Sequence, residues 1–166
     1  MNHLDDDGDR KLSKEELKKC PGLSRSRKLI DEDNDGAISS TELQARLQAY
    51  LDEQLAIVDR PILILRRGQQ LAGATVGLLP EVFMADIIEP AYGTTDKRGV
   101  VRPSIELDEE IRGVGTRGYR SGVYQVKVSK KDGSGKELLP KQYNEETTLG
   151  IEVKMEEHFE PIQLRL

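Results

Sequence analysis

The sequence predicts an α+β, multidomain chain: a small helical unit over residues 1–57, then an all-β sandwich over residues 61–166. Three observations predict it. Residues 1–55 carry 13 acidic and 9 basic side chains, whereas residues 56–166 are nearly balanced at 17 and 16. Glycine shifts the other way, with three before residue 56 and twelve after it. The apolar spacing also changes, from helical in the first part to alternating in the second. The regimes meet at residues 56–61, where Pro61 stands.

The first part contains a tandem repeat. Asp5-Asp6-Asp7-Gly8-Asp9-Arg10-Lys11-Leu12-Ser13-Lys14-Glu15-Glu16 aligns with Asp31-Glu32-Asp33-Asn34-Asp35-Gly36-Ala37-Ile38-Ser39-Ser40-Thr41-Glu42. Both place Asp at positions 1, 3 and 5, an aliphatic residue at 8, Ser at 9 and Glu at 12. The pattern resembles the EF-hand calcium loop. Ca²⁺ takes six to eight oxygens at roughly 2.3–2.6 Å, and a turning loop presents alternate side chains inward. The resemblance implies one ion per loop. Asp5, Asp7 and Asp9 would give carboxylates in the first, Lys11 its backbone carbonyl, Ser13 a ligand or bridging water, and Glu16 both oxygens. The same roles fall to Asp31, Asp33, Asp35, Ala37, Ser39 and Glu42 in the second. Leu12 and Ile38 would form a short strand pair between the loops.

Position 6 requires a positive φ, and Gly36 supplies it in the second loop. Arg10 stands there in the first. Shifting the register to place Gly8 at the turn puts His3 at position 1 and Lys14 at position 12, and that register fails. A left-handed residue with a side chain costs on the order of 1–2 kcal/mol. The Asp31–Glu42 loop is therefore expected to bind roughly tenfold more tightly.

The flanks read as short helices. Leu43, Leu47, Tyr50, Leu51 and Leu55 recur at helical spacing after Glu42. Pro21-Gly22 is expected to end one short helix, with Leu23 to Ile30 forming the next. Only Met1 to Leu4 precede the first loop.

The second part reads as strands punctuated by Gly and Pro. Pro61 to Leu65 is a continuous apolar run, and Gly68 to Val76 a turn feeding a strand. Gly99-Val100-Val101, Gly122 to Ser129, Leu149 to Val153 and Ile162 to Leu166 complete the set. Gly68-x-x-Leu71-x-Gly73-Ala74-x-Val76, Thr94-Thr95-Asp96-x-x-Gly99 and Gly122-x-Tyr124-x-Val126-x-Val128, in this order, resemble the carboxypeptidase regulatory-like, transthyretin-like sandwich. Such domains occur in extracytoplasmic bacterial proteins, sometimes beside calcium-binding hands. Asp96 is read as a turn residue whose carboxylate satisfies backbone donors while Gly99 takes a positive φ. Val82, Phe83, Met84, Ile87 and Ile88 are expected to cap an open end of the sandwich, or to contact the acidic unit or a partner.

Other chemistry is excluded residue by residue. His3 and His158 lack zinc-like spacing. Cys20 allows no internal disulfide and reads as a small apolar filler. Lys127, Lys130, Lys131, Lys136 and Lys141 surround a hairpin tip without interleaved aromatics, and net charge is −5, so no nucleic-acid partner is expected. Arg117 to Gly122 resembles the Tyr-Arg-Gly-Ser ending of transthyretin-related hydroxyisourate hydrolases, but in another order and without the required histidines, so no enzyme is expected. No apolar run reaches the length of a membrane span. The acidic start is not a signal peptide, so a signal for export is expected upstream.

The function implied is calcium binding without catalysis, extracytoplasmic, with two Ca²⁺ folding the acidic unit and orienting it on the sandwich. Two alternatives stand beside it. One is recognition of a glycan or protein by the sandwich, although Phe83, Tyr92, Tyr119, Tyr124, Tyr143 and Phe159 are scattered. The other is a calcium sensor, for which the Met-rich groove is lacking, since only Met1 lies in the first 80 residues.

Overall fold

The computed structural model describes residues 4–105, 118–155 and 160–166. His3, Arg117, His158 and Phe159 lie outside the described residues. Strand β1 (Lys11–Leu12) and strand β2 (Ile38–Ser39) flank helix α1 (Pro21–Ile30), and helix α2 (Ser40–Asp52) follows β2 directly. The later elements are strands: β3 (Ile57–Val58), β4 (Ile62–Arg66), β5 (Gln69–Gln70), β6 (Thr75–Pro80), β7 (Ala91–Thr94), β8 (Val100–Val101), β9 (Ser104–Ile105), β10 (Tyr119–Arg120), β11 (Gly122–Ser129), β12 (Gly150–Val153) and β13 (Ile162–Arg165).

The largest sheet has the order β12-β11-β6-β7-β9, with every neighbouring pair antiparallel. A second sheet joins β13, β4 and β5, with β8 also on β4, and β13 runs parallel to β4. Ile62, Ile64 and Leu164 of the smaller sheet share a core with Val76, Leu78, Val126 and Val128 of the larger. Alternation along β11 follows from its sequence, since Tyr124, Val126 and Val128 fall on one face. Tyr119 and Tyr124 are fully buried and meet edge to face, with ring centroids 6.3 Å apart.

The predicted strands at Pro61–Leu65, Gly122–Ser129, Leu149–Val153 and Ile162–Leu166 correspond to β4, β11, β12 and β13. The predicted fold class does not hold. Among the described residues the chain is mainly β, with two α-helices, so it is not a helical EF-hand pair joined to a sandwich. The reason is local. Glu16–Lys19 makes only a 3-10 turn, because Pro21 follows and disfavours helical backbone at Cys20, whose φ and ψ are −131° and 79°. Pro21-Gly22 opens α1 rather than ending a helix, with proline at the first position where its missing N–H costs nothing.

Helix α1 lies on β12 and β11. The approach is close because glycines meet: a Cβ on Gly150 would stand 2.2 Å from the Gly22 nitrogen, and one on Gly22 2.4 Å from Val123 Cγ1. Helix α2 is tied to β12 by Arg46 and Tyr50, which both bond the nearly buried Glu152 carboxylate. Leu12, Leu17, Leu23, Ile30, Ile38, Leu43 and Tyr50 belong to the same core cluster as the sheets.

The apolar 82–88 segment divides. Met84 and Ile88 are buried over Gly122 and Val123, while Val82 and Ile87 are exposed. Phe83 lines a cleft of about 410 Å³ with Leu43 and Leu47 of α2 and Asp5 of the first loop. Asp96 is the turn residue expected: its Oδ1 accepts from the amides of Arg98 at 2.8 Å and Val100 at 2.9 Å, with Gly99 at φ +73°.

Candidate metal centre

Both acidic loops fold around their own carboxylates. In the first, Asp5 accepts from the amides of Gly8 at 2.8 Å and Arg10 at 3.0 Å, Asp7 from Asp9, and Asp9 from Lys11 at 2.7 Å. In the second, Asp31 accepts from the Gly36 amide at 3.1 Å, Asp33 from Asp35, and Asp35 from Ala37 at 2.8 Å. Position 1 thus holds the amide of position 6 in each loop, and positions 3 and 5 each hold the amide two residues on. Strands β1 and β2 join the loops, pairing Lys11 with Ser39 and Leu12 with Ile38. Leu12 and Ile38 are fully buried, as the pattern required.

The turn conformations repeat as well. Gly36 has φ +93° and Arg10 φ +67°; Asn34 and Gly8, at position 4, have φ +59° and +76°. Arg10 therefore takes the left-handed backbone that position 6 demands, despite its side chain.

These turns gather one carboxylate oxygen from each of Asp5, Asp7 and Asp9 to within 4.8 Å of one another, and likewise from Asp31, Asp33 and Asp35. The position-12 glutamates serve a second purpose. Glu42 Oε2 accepts from the Ser39 amide at 2.8 Å and hydroxyl at 2.7 Å, while Ser39 Oγ accepts from the Glu42 amide, a capping box that starts α2. Glu16 and Ser13 repeat it at 2.8 and 2.7 Å. Each glutamate's other oxygen accepts from the amide of position 2, Asp6 or Glu32, at 2.7 Å. Bonds from the Ser13 hydroxyl and amide hold the Glu16 carboxyl down at about 2. Burial pushes Glu42 up, but the Ser39 and Glu32 donors outweigh it and leave it below its ordinary value.

The loops differ in their cations. Lys11 of the first loop is bonded to Asp35 of the second, which raises the lysine and lowers the aspartate. Arg27, in the last turn of α1, reaches the Gly36 carbonyl at 2.9 Å and Asp31 Oδ2 at 3.3 Å. Asp31 is buried, and its Oδ1 has no hydrogen-bond partner among the described residues. A buried carboxylate oxygen without a donor is costly unless a cation completes it. The donors here are all oxygens, the set that a hard cation such as Ca²⁺ takes.

Three residues that matter here were not singled out from the sequence. Arg27 stands four residues before Asp31, a helical spacing that could have revealed it. Glu81 and Glu152, which hold α1 and α2 to the sheet, lie 59 residues from Gly22 and 106 from Arg46, and no local pattern marks them. Cys20 is buried, and burial together with the adjacent Glu81 carboxylate pushes its thiol far up, in keeping with a packing role. No helix among the described residues is long and apolar enough to cross a membrane. Comparison with protein-family models, curated proteins and solved structures finds no match.

Proposed function

We propose that this chain is a non-catalytic calcium-binding protein that takes one Ca²⁺ in each of the loops Asp5–Glu16 and Asp31–Glu42. The observation that carries the reading is Asp31 Oδ1, a buried oxygen left without a donor among the described residues, beside the clustered Asp33 and Asp35 carboxylates. Asp5, Asp7, Asp9, Ser13 and Glu16, with the Lys11 carbonyl, would hold the first ion. Asp31, Asp33, Asp35, Ser39 and Glu42, with the Ala37 carbonyl, would hold the second.

The ions' role in this proposal is structural. Asp31 ends α1 and belongs to the second loop, so whatever fixes that loop fixes the end of a helix lying on β12 and β11. Three or four carboxylates drawn together repel one another, and a divalent ion removes that repulsion. Calcium would therefore stiffen residues 5–42 and hold α1 on the sheet. An extracytoplasmic setting suits the proposal, because modules there bind calcium at roughly 10⁻⁴–10⁻³ M.

Calorimetry in chelator-stripped buffer tests it. The expected result is two Ca²⁺ per chain and no zinc uptake; a stoichiometry below one would end the reading.

A further inference from the structure

We infer that Arg27 is a positioning residue for the second ion site, bracing the Asp31–Glu42 loop in its binding shape; the inference rests on the calcium reading above. A single guanidinium nitrogen, Nη1, spans two points of the loop: the Gly36 carbonyl at 2.9 Å and Asp31 Oδ2 at 3.3 Å. The Arg27 carbonyl meanwhile accepts from the Asp31 amide at 2.8 Å, closing the helix. One residue thus fixes the loop's first position by backbone and side chain, and its sharp turn by side chain.

The geometry separates two roles that a cation could have here. A competitor for the ion would sit among the ligand oxygens, and its removal would tighten calcium binding. Arg27 does not sit there. Its shorter bond is to a neutral carbonyl, and its carboxylate contact is to Oδ2, which the Gly36 amide also holds at 3.1 Å. Asp31 Oδ1 is the oxygen left over. Arg27 and the Gly36 amide together secure one oxygen, so the other is free for the ion. Lys11, bonded to Asp35 at position 5, is the facing cation suited to competition, and it comes from the other loop. The residue that corresponds to Arg27 in the first loop would fall at position 1 of the chain, which is Met. Among the described residues, the brace is made at the second site.

The test uses the full chain labelled with ¹⁵N and titrated with Ca²⁺. The Arg10 and Gly36 amides are bonded to the position-1 carboxylates of their loops, so each reports its own site. Arg27→Lys keeps the charge but not the planar fork, and Arg27→Gln removes the charge. Both variants should weaken binding read at Gly36 by about tenfold, the order of one charge-assisted hydrogen bond. The constant read at Arg10 should not move, which also shows that the variants are folded. A Gln variant that binds equally or more tightly at Gly36 overturns the brace, because it makes Arg27 a bystander or a competitor. A wild-type chain in which neither amide responds overturns the calcium reading, and this inference with it.

Discussion

The Glu81 carboxylate caps helix α1 from across the fold, accepting a hydrogen bond from the Gly22 amide at 2.7 Å in a buried setting. Cys20 provides no side-chain cap and the first turn of α1 has no acidic residue, so the sheet supplies what the helix lacks. The segment carrying both acidic loops is thereby fastened to the β part by a carboxylate at the helix's positive end.

That contact makes stability depend on pH. Burial pushes the Glu81 carboxyl above its ordinary 4.5. Between 4.5 and the raised value, the folded chain retains a proton that the unfolded chain has released, so stability falls as pH rises through that window. Glu16, held near 2, acts in the opposite sense, but only below 4.5. Urea unfolding followed from pH 4 to 7 in chelator should show a downward contribution that Glu81→Gln abolishes, since glutamine still offers an oxygen to Gly22. Parallel curves for the two proteins would remove Glu81 from the account.

Gly150→Ala should push α1 off the sheet. The added methyl would meet the Gly22 nitrogen and the Pro21 carbonyl carbon at 2.2 Å, and both are backbone that cannot swing aside. Overpacking of this kind costs about 1–3 kcal/mol. Denaturant unfolding measures it, and an unchanged midpoint would mean that the helix does not lie where it is placed.

Arg10→Gly should relieve strain in the first loop. Arg10 has φ +67°, where a side chain costs on the order of 1–2 kcal/mol. Calcium titration should show the first site tightening by up to roughly tenfold while the second is nearly unchanged. Weaker binding at the first site would mean that the loop's register is wrong.

The loops were legible because their information is local. Positions 1, 3, 5, 9 and 12 fall within twelve residues, and the carboxylate–amide bonds that turn each loop are internal to it, whereas the Arg27 contacts to the second loop come from α1. The strands were legible for the same reason, as β4 and β11 announce themselves by apolar content and alternation. Helix count was not legible, because Pro21 can follow one helix or open another; here it holds Cys20 out of the helical region, and the helix it opens packs on β12. Short pairings such as Tyr119 with Val58, and the carboxylates Glu81 and Glu152, depend on chain segments tens of residues apart. No window of sequence contains both partners.

Amide hydrogen exchange with saturating calcium and with chelator tests whether ions in the two loops hold α1 and the β1–β2 pair in place on the sheet. Chelation should speed exchange at Leu12, Ile38 and along Pro21–Ile30, while β6 and β11 keep their protection. Equal exchange at Leu12 and Ile38 in the two buffers, with calcium present at millimolar excess, would contradict it.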